Sequence, residues 1–145
     1  MAHARQQIRT ALVAQLTGLA ATGANVHSSR VYAIDVFPCL SVYVETDNID
    51  REKATMDQYD WRELTVAVEA RVKAVANGED LLDTICSQVE VAINSDVKLG
   101  INIVDTLLVD TQMEYSGEAE QPVALATMRY TVEYQVDHSN PDILV

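Results

Sequence analysis

The sequence predicts an α+β fold, a two-layer sandwich in which two helices cover one face of a mainly antiparallel sheet with long strands. Two observations predict it: apolar residues alternate over unusually long stretches, and two segments show the apolar spacing of amphipathic helices. Because each alternating stretch is polar on one side, only one sheet face needs a helical layer. The predicted order is helix, two strands, loop, strand, helix and two strands. The strand order within the sheet stays open.

Both predicted helices carry a single apolar stripe. The first covers His3–Leu19, where apolar residues recur with the 3, 4 and 7 spacing of one buried face. The second covers Asn77–Ser95, and its first turn holds Glu79 and Asp80, where the helix dipole favours acidic side chains. We expect both stripes to pack on the sheet.

Five stretches are predicted strands. They are Ser29–Val36, Cys39–Glu45, Trp61–Val75, Asp105–Tyr115 and Val123–Val136. The last is roughly 14 residues, or about 45–50 Å at about 3.4 Å per residue, whereas ordinary strands have about 5–6 residues. In the fourth, we expect Leu107, Val109, Met113 and Tyr115 on one side of the strand. Strands longer than one core needs indicate contacts with further copies.

The segment Thr46–Asp60 has no apolar period and holds five acids and two bases. We expect a long, mobile loop joining two antiparallel strands. Loops beyond about 12–15 residues are uncommon unless they have a function. This loop and the turn Ser116–Pro122 are therefore the candidate contact regions.

The net charge of −12 is unevenly distributed, because residues 1–34 contain three arginines and no acid. A chain this acidic does not bind nucleic-acid phosphate through its bulk surface. Ordinary solubility charge explains the asymmetry best. The alternative is a basic N-terminal helix that meets an acidic face, within the fold or on a neighbouring copy. No apolar run approaches the roughly 20 residues of a membrane span. The chain of 145 residues is expected to be one domain, 1–145, with the order of residues 136–145 left open.

The sequence offers no chemical site. It has no glycine-rich phosphate loop and no metal-ligand spacing, so no catalytic, cofactor-binding or metal-binding residue is predicted. The run Asp137–Ser139 contains triad residue types, but neighbours in one tail cannot form the line that a triad requires. Aromatic residues and methionine are enriched at the centres of protein contacts, although Trp61 is equally explained by strand packing. The candidate interface residues are Arg5, Arg9, Asp50, Arg51, Met56, Tyr59, Trp61, Glu118 and Glu120.

Several phrases together resemble a known family. They are "IRTALVAQLTG", "SRVYAIDVFPCLSVYVETD", "RELTVAVEARVKA", "DLLDTICSQVEVAI" and "GEAEQPVALATMRYTVEYQV". In this combination, over about residues 5 to 136, the chain resembles the tail terminator proteins of long-tailed bacteriophages, which are related to the minor tail protein U group.

The resemblance implies a structural virion protein without enzymatic activity or cofactor. Such a protein forms a hexameric ring on the head-proximal end of the tail tube, ends tube growth and offers a surface to the head connector. Its partners are further copies of itself, the tail tube protein and the head–tail connector or neck protein. It is assembled in the host cytoplasm and touches no membrane. Genomic DNA passes through the bore without specific binding, and we expect acidic residues from the polar strand faces or loops to line it.

Two alternatives stay open from the sequence. One is a head–tail joining or tail-completion protein on the other side of the same interface. The other is a small soluble ligand-binding or enzymatic α+β domain, which would need a concave pocket with convergent polar groups. Ring size, contact residues, host and tail type are not determined by the residues themselves.

Overall fold

The structure is a computed structural model that describes residues 2–28, 37–50, 59–73, 78–116 and 123–145. These residues form two helices and six strands. They are α1 (Ala4–Leu16), β1 (Val26–His27), β2 (Cys39–Asp50), β3 (Tyr59–Lys73), α2 (Gly78–Ser95), β4 (Asp105–Ser116), β5 (Val123–Asp137) and β6 (Asn140–Leu144). The strand expected at Ser29–Val36 lies outside the described residues.

The strands form one sheet in the order β1-β2-β3-β5-β4, and β6 pairs with β5 beyond the start of β4. Only the short β1–β2 pair is parallel; the other described pairs are antiparallel. β3 and β5 have 15 residues each and pair along their full length, which corresponds to about 45–50 Å. The predicted α+β class and the long strands are confirmed.

Both helices cover the same face of the sheet, which we call the helix face. The even-numbered residues of β3 and β5 point to this face, and the apolar ones among them are buried with the helix stripes. The stripes are Ile8, Leu12 and Leu16 on α1, and Leu82, Ile85, Val89 and Ile93 on α2. Each such side chain contributes about 1.5–3 kcal/mol when fully buried. The opposite face, which we call the polar face, carries the odd-numbered residues of β3 and β5.

Helix α1 ends at Leu16, three residues before the predicted end. Thr17 adopts an extended backbone, with φ −75° and ψ 131°, while its N–H still donates to the carbonyl oxygen of Val13. Gly18 follows at φ +97°, a conformation that favours glycine. At the other end, the His3 side chain accepts a hydrogen bond from the Arg5 N–H at 3.1 Å.

The prediction of a loop over Thr46–Asp60 is wrong for the described part of that segment. β2 continues to Asp50, β3 begins at Tyr59, and the two strands pair through Asp50 and Trp61. The register shifts between Val44 and Thr46, so one extra residue breaks the alternation that would have indicated a strand. Residues 51–58 lie outside the described residues.

The prediction that the apolar residues of β4 share one side is also wrong. A register shift between Leu108 and Asp110 aligns Leu107 with Thr131 on the polar face and Met113 with Ala126 on the helix face. A one-residue bulge therefore sends the two halves of the apolar set to opposite faces. Tyr115 lies on the helix face with Met113.

The C-terminal residues, whose order the sequence left open, form β6. This strand pairs Leu144 with Val136, and the Val145 N–H donates to the carbonyl oxygen of Gln135 at 3.0 Å. Among the helices of the described residues, none is long and apolar enough to cross a membrane.

Candidate functional site: surfaces for assembly

The two regions predicted for contact are flanked by residues at opposite ends of the sheet. Asp50 and Tyr59, which flank residues 51–58, lie at what we call the first end, where Tyr59 pairs with Asp137. Ser116 and Val123, which flank residues 117–122, pair with each other at the second end. The length of β3 and β5 separates these ends by about 45–50 Å.

A polar cluster joins the strands β2, β3 and β5 and the turn after β5 at the first end. Tyr134 donates from its hydroxyl to both carboxylate oxygens of Asp47 at 2.9 Å. Arg62 reaches Asp47 and Asp60 at 3.4 Å each, and His138 Nδ1 lies 2.9 Å from Asp60. The carboxylates of Asp47 and Asp60 are almost fully buried, so these contacts replace the water that each charge has lost. We call these five residues the first-end cluster.

Contacts within the cluster shift the pKa values of Asp60 and Tyr134. The hydrogen bond from His138, followed by that from Arg62, lowers the pKa of Asp60 against the opposing effect of burial. Burial and the Asp47 carboxylate raise the pKa of Tyr134, so its hydroxyl stays a donor. Asp60 is therefore charged and Tyr134 neutral over the physiological range. The cluster holds the ends of β2, β3 and β5 together.

The predicted interface residues at this end are only partly brought together. Tyr59 is exposed, and Trp61 is half-buried opposite Asp50 on the polar face. Arg5 lies 3.8 Å from Asp47 of its own chain, with half of its side chain still exposed. Arg9 lies one turn further along α1, beside the same hollow as Arg5. Four further predicted residues lie outside the described residues; they are Arg51, Met56, Glu118 and Glu120.

A chain of polar contacts crosses the polar face from β2 to β4. Arg129 on β5 reaches Glu45 on β2 at 3.1 Å, and Gln112 at 3.0 Å and Asp110 at 3.5 Å on β4. Ala67, the β3 residue paired with Arg129, is fully buried although it lies on this face. The side chains of the polar face thus cover its centre themselves.

The polar face is strongly acidic. Among the described residues it carries nine carboxylates against three cations, Arg71, Lys73 and Arg129. The carboxylates are Glu45, Asp50, Glu63, Glu69, Asp105, Asp110, Glu114, Glu133 and Asp137. Three of them, Glu63, Asp105 and Glu133, line one hollow of about 340 Å³. The surface that the helices leave free therefore repels anions.

Strand β4 forms an exposed apolar edge. The helices pack mainly on β1, β2, β3, β5 and β6, and residues 107–115 of β4 are exposed on both faces, although Tyr115 interacts with Glu79 of α2. The large apolar side chains among them are Leu107, Leu108, Val109, Met113 and Tyr115. Val109 is 62% exposed and Leu107 59%. Exposed apolar side chains on an edge strand mark an interaction site.

The described residues hold no arrangement suited to metal binding or nucleophilic catalysis. They contain no group of three His, Cys, Asp or Glu side chains that could hold a metal ion. The Ser139 hydroxyl donates to Asp137 at 2.7 Å, whereas His138 contacts Asp60. The serine and the histidine of this run are thus bonded to different carboxylates.

Sequence reasoning missed Arg129, the first-end cluster and the exposure of β4. Arg129 could have been found, because it is the only base among the residues of β5. The cluster could not, because the residues that form it are up to 91 positions apart in the sequence and only the strand pairing brings them together.

The chain is similar to known proteins in both sequence and fold. The family model of phage minor tail protein U matches residues 3–134. No curated protein matches the chain. Among solved structures, 28 chains match. One belongs to a structure described as the virion of a native gene transfer agent particle, with a TM-score of 0.59 and 14% identity over 91% of this chain and 99% of that chain.

At 14% identity the structural match shows a shared fold, and the family match over residues 3–134 shows the family. The chain therefore belongs to the phage minor tail protein U family and is a structural component of the phage tail.

Proposed function

We propose that this protein is a tail terminator: a ring of copies, six in number, that caps the head-proximal end of the tail tube, ends its polymerisation and offers the surface for head attachment. The observation that carries the proposal is the acidic polar face, which runs the full length of β3 and β5 and lacks a helical layer. In a ring this face lines the bore.

An acidic lining suits a channel for DNA. Duplex DNA carries about one negative charge per 1.7 Å of its axis, so carboxylates around the bore prevent the phosphates from adhering. The three cations of the face do not offset this, since nine carboxylates minus three cations leave an excess of six negative charges. DNA then moves through the ring without specific binding.

The two ends of the sheet suit two different partners. A terminator docks on the last tube ring with one surface and receives the connector with another. The first end presents Tyr59 and the charged residues around the first-end cluster, and the second end presents the exposed Tyr115 with Lys73. A ring makes each weak contact six times and gains avidity.

The length of the tails tests the proposal. Phage in which this gene is deleted should make over-long tails, because nothing stops tube growth. Tails of normal length that remain unattached to heads would instead assign the protein to head–tail joining, the second candidate within the same assembly. Restoring the intact gene in trans is the control.

A further inference from the structure

Helix α1 and the loop after α2 border an apolar hollow on the surface of the chain. The hollow has a volume of about 570 Å³, and we call it the α1 hollow. Its apolar lining consists of Ala2, Ala11, Ala14, Leu99 and Ile101, and polar side chains of α1 complete it. The alanines are too small to fill the space, and the leucine and isoleucine form its other wall.

Two of the four polar side chains at this hollow are engaged within the chain. Gln7 donates to the carbonyl oxygens of Ala2 and Asp142 at 2.7 Å each, and Gln15 donates to that of Ala92 at 2.8 Å. A site for a polar small molecule needs convergent polar groups that are available to the ligand. The α1 hollow therefore suits apolar side chains better than a polar ligand.

Strand β4 presents apolar side chains of the complementary kind. Leu107 and Val109 are its most exposed large apolar residues, so they do not fill the α1 hollow of their own chain. An apolar projection and an apolar hollow at different places on one chain allow a head-to-tail contact between copies.

Charge selects this contact over the pairing of like surfaces. β4 contains three acids and no base, whereas α1 contains Arg5 and Arg9 and no acid. Two β4 strands face to face would bring together the acids of both copies, and two α1 helices would bring together their arginines. β4 against α1 instead brings opposite charges together. The head-to-tail contact also repeats until a ring closes, whereas a contact between like surfaces ends at a dimer.

The two surfaces lie at the same level of the sheet. Arg5, at the start of α1, lies 3.8 Å from Asp47 on β2. Asp47 pairs with Leu64, Leu64 with Val132, and Val132 with Thr106 at the start of β4. In a ring whose strands run along its axis, a contact between α1 and β4 therefore needs a rotation from copy to copy and little shift along the axis. This is the condition for a closed ring instead of an open helix.

We propose that Leu107 and Val109 of one copy insert into the α1 hollow of the next copy. The inference rests on the ring proposed above and names the two surfaces that close it. The occupant of the hollow is thus a second copy of this chain.

Charged substitutions on both surfaces test the contact. Val109→Asp on β4 and Ala14→Glu in the hollow replace exposed residues, so the fold should persist, as circular dichroism and the urea midpoint would verify. We expect multimers, measured by sedimentation with and without tail tubes, to be lost in both variants. Multimers that persist in both would overturn the inference.

Each variant has a matched control on α2. Val91→Asp matches the β4 variant, since Val91 is 68% exposed and does not line the hollow. Asn94→Glu matches the α1 variant, since it also places an acid at an exposed position in the last turn of a helix. Both controls should keep the multimers.

Disulfide cross-linking identifies the surfaces that meet. Val109→Cys and Ala14→Cys are purified separately and mixed under oxidising conditions, so any disulfide between positions 109 and 14 joins two copies. Peptide mapping identifies the bond. Each variant alone is the control for disulfides that involve Cys39 or Cys86. A mixture of Val91→Cys with Ala14→Cys is the control for an exposed site outside the contact.

Three outcomes decide the matter. A disulfide between positions 109 and 14, without a corresponding one between positions 91 and 14, supports the inference. Multimers in sedimentation without the disulfide between positions 109 and 14 overturn the assignment of surfaces and leave the ring standing. No multimers at any concentration, with or without tubes, overturn both.

Discussion

Individual buried polar groups differ in whether they have a hydrogen-bond partner, and two tyrosines of β5 show the difference. Tyr134 donates to Asp47, whereas the hydroxyl of Tyr130 is buried without a hydrogen-bond partner among the described residues. Both side chains are otherwise fully packed on the helix face. A buried hydroxyl stabilises the fold only when its hydrogen bond replaces the lost contact with water.

Removing the two hydroxyls should therefore have opposite results. We expect Tyr134→Phe to lower the free energy of unfolding by about 1–2 kcal/mol, because Asp47 loses a donor, and Tyr130→Phe to be neutral or slightly stabilising. Urea denaturation of both variants at pH 7 measures the difference. An equal loss in the two variants would contradict this account of Tyr130.

Asp60 should make the free energy of unfolding decrease at acidic pH. Its pKa is lowered in the folded chain, so its stabilising effect is present above the unfolded pKa and is lost as the pH falls through the folded pKa. The free energy of unfolding of the wild type should therefore drop between about pH 5 and pH 2, and Asp60→Asn should weaken this drop while costing about 1–3 kcal/mol at pH 7. Unfolding in urea at several pH values measures both. His138→Ala should also weaken the pH dependence of the free energy of unfolding, since the His138 hydrogen bond is the largest cause of the lowered Asp60 pKa. If both variants keep the pH dependence of the wild type, Asp60 is not its cause.

At the scale of elements, β4 contributes to the sheet mainly through its backbone. The helices leave most of it uncovered, so its large apolar side chains gain little burial within one chain. β5 lies under α2 and is fully buried on the same face. Neighbouring strands thus differ in whether their side chains stabilise the monomer or remain available to a partner.

Two methionines on the helix face, one on β5 and one on β4, allow the burial of these strands to be compared directly. Met128 on β5 is fully buried, and Met113 on β4 is 39% exposed. We expect Met128→Ala to cost about 2–5 kcal/mol of the free energy of unfolding through its cavity, and Met113→Ala about 0.5 kcal/mol or less in the monomer. Thermal and urea unfolding of dilute protein measure both. A large loss for Met113→Ala would mean that β4 is packed within the monomer.

At the scale of the whole molecule, acidic side chains are concentrated on one face of the sheet. The helices and the core occupy one side of the sheet, and the other side presents nine carboxylates. In the proposed ring these charges concentrate around the bore, where they act on DNA together.

Reversing charges on the polar face should cause the proposed ring to retain duplex DNA. We expect Glu63→Lys with Asp105→Lys and Glu133→Lys to retain linear duplex DNA at about 50 mM salt and release it at about 200 mM, because lysine–phosphate contacts weaken steeply with salt. Co-sedimentation measures the retention. Closed circular DNA cannot thread a ring and should not be retained.

The control places the same charges on α2, as Glu79→Lys with Asp83→Lys and Glu90→Lys. If this variant holds DNA, it should hold linear and circular molecules alike, since α2 faces away from the proposed bore. Equal retention of circles by the polar-face variant would place that face outside the bore.

The sequence by itself determined the fold class, the two helix stripes and the length of β3 and β5. These features follow from local periodicity: a strand alternates every two residues and a helix repeats every 3.6, so buried faces appear directly in the order of residues. The acidity of the polar face follows in the same way, because the residues between the apolar ones must point away from the core.

Only the tertiary structure decided which surfaces of the described residues are exposed. The bulges near Glu45 and Val109 each insert one residue and reverse the side chains that follow, so the sequence pattern hid the end of β2 and misassigned the apolar residues of β4. The first-end cluster and the exposure of β4 depend on which strands become neighbours and where the helices lie. Such contacts join residues far apart in the chain, and no local period encodes them.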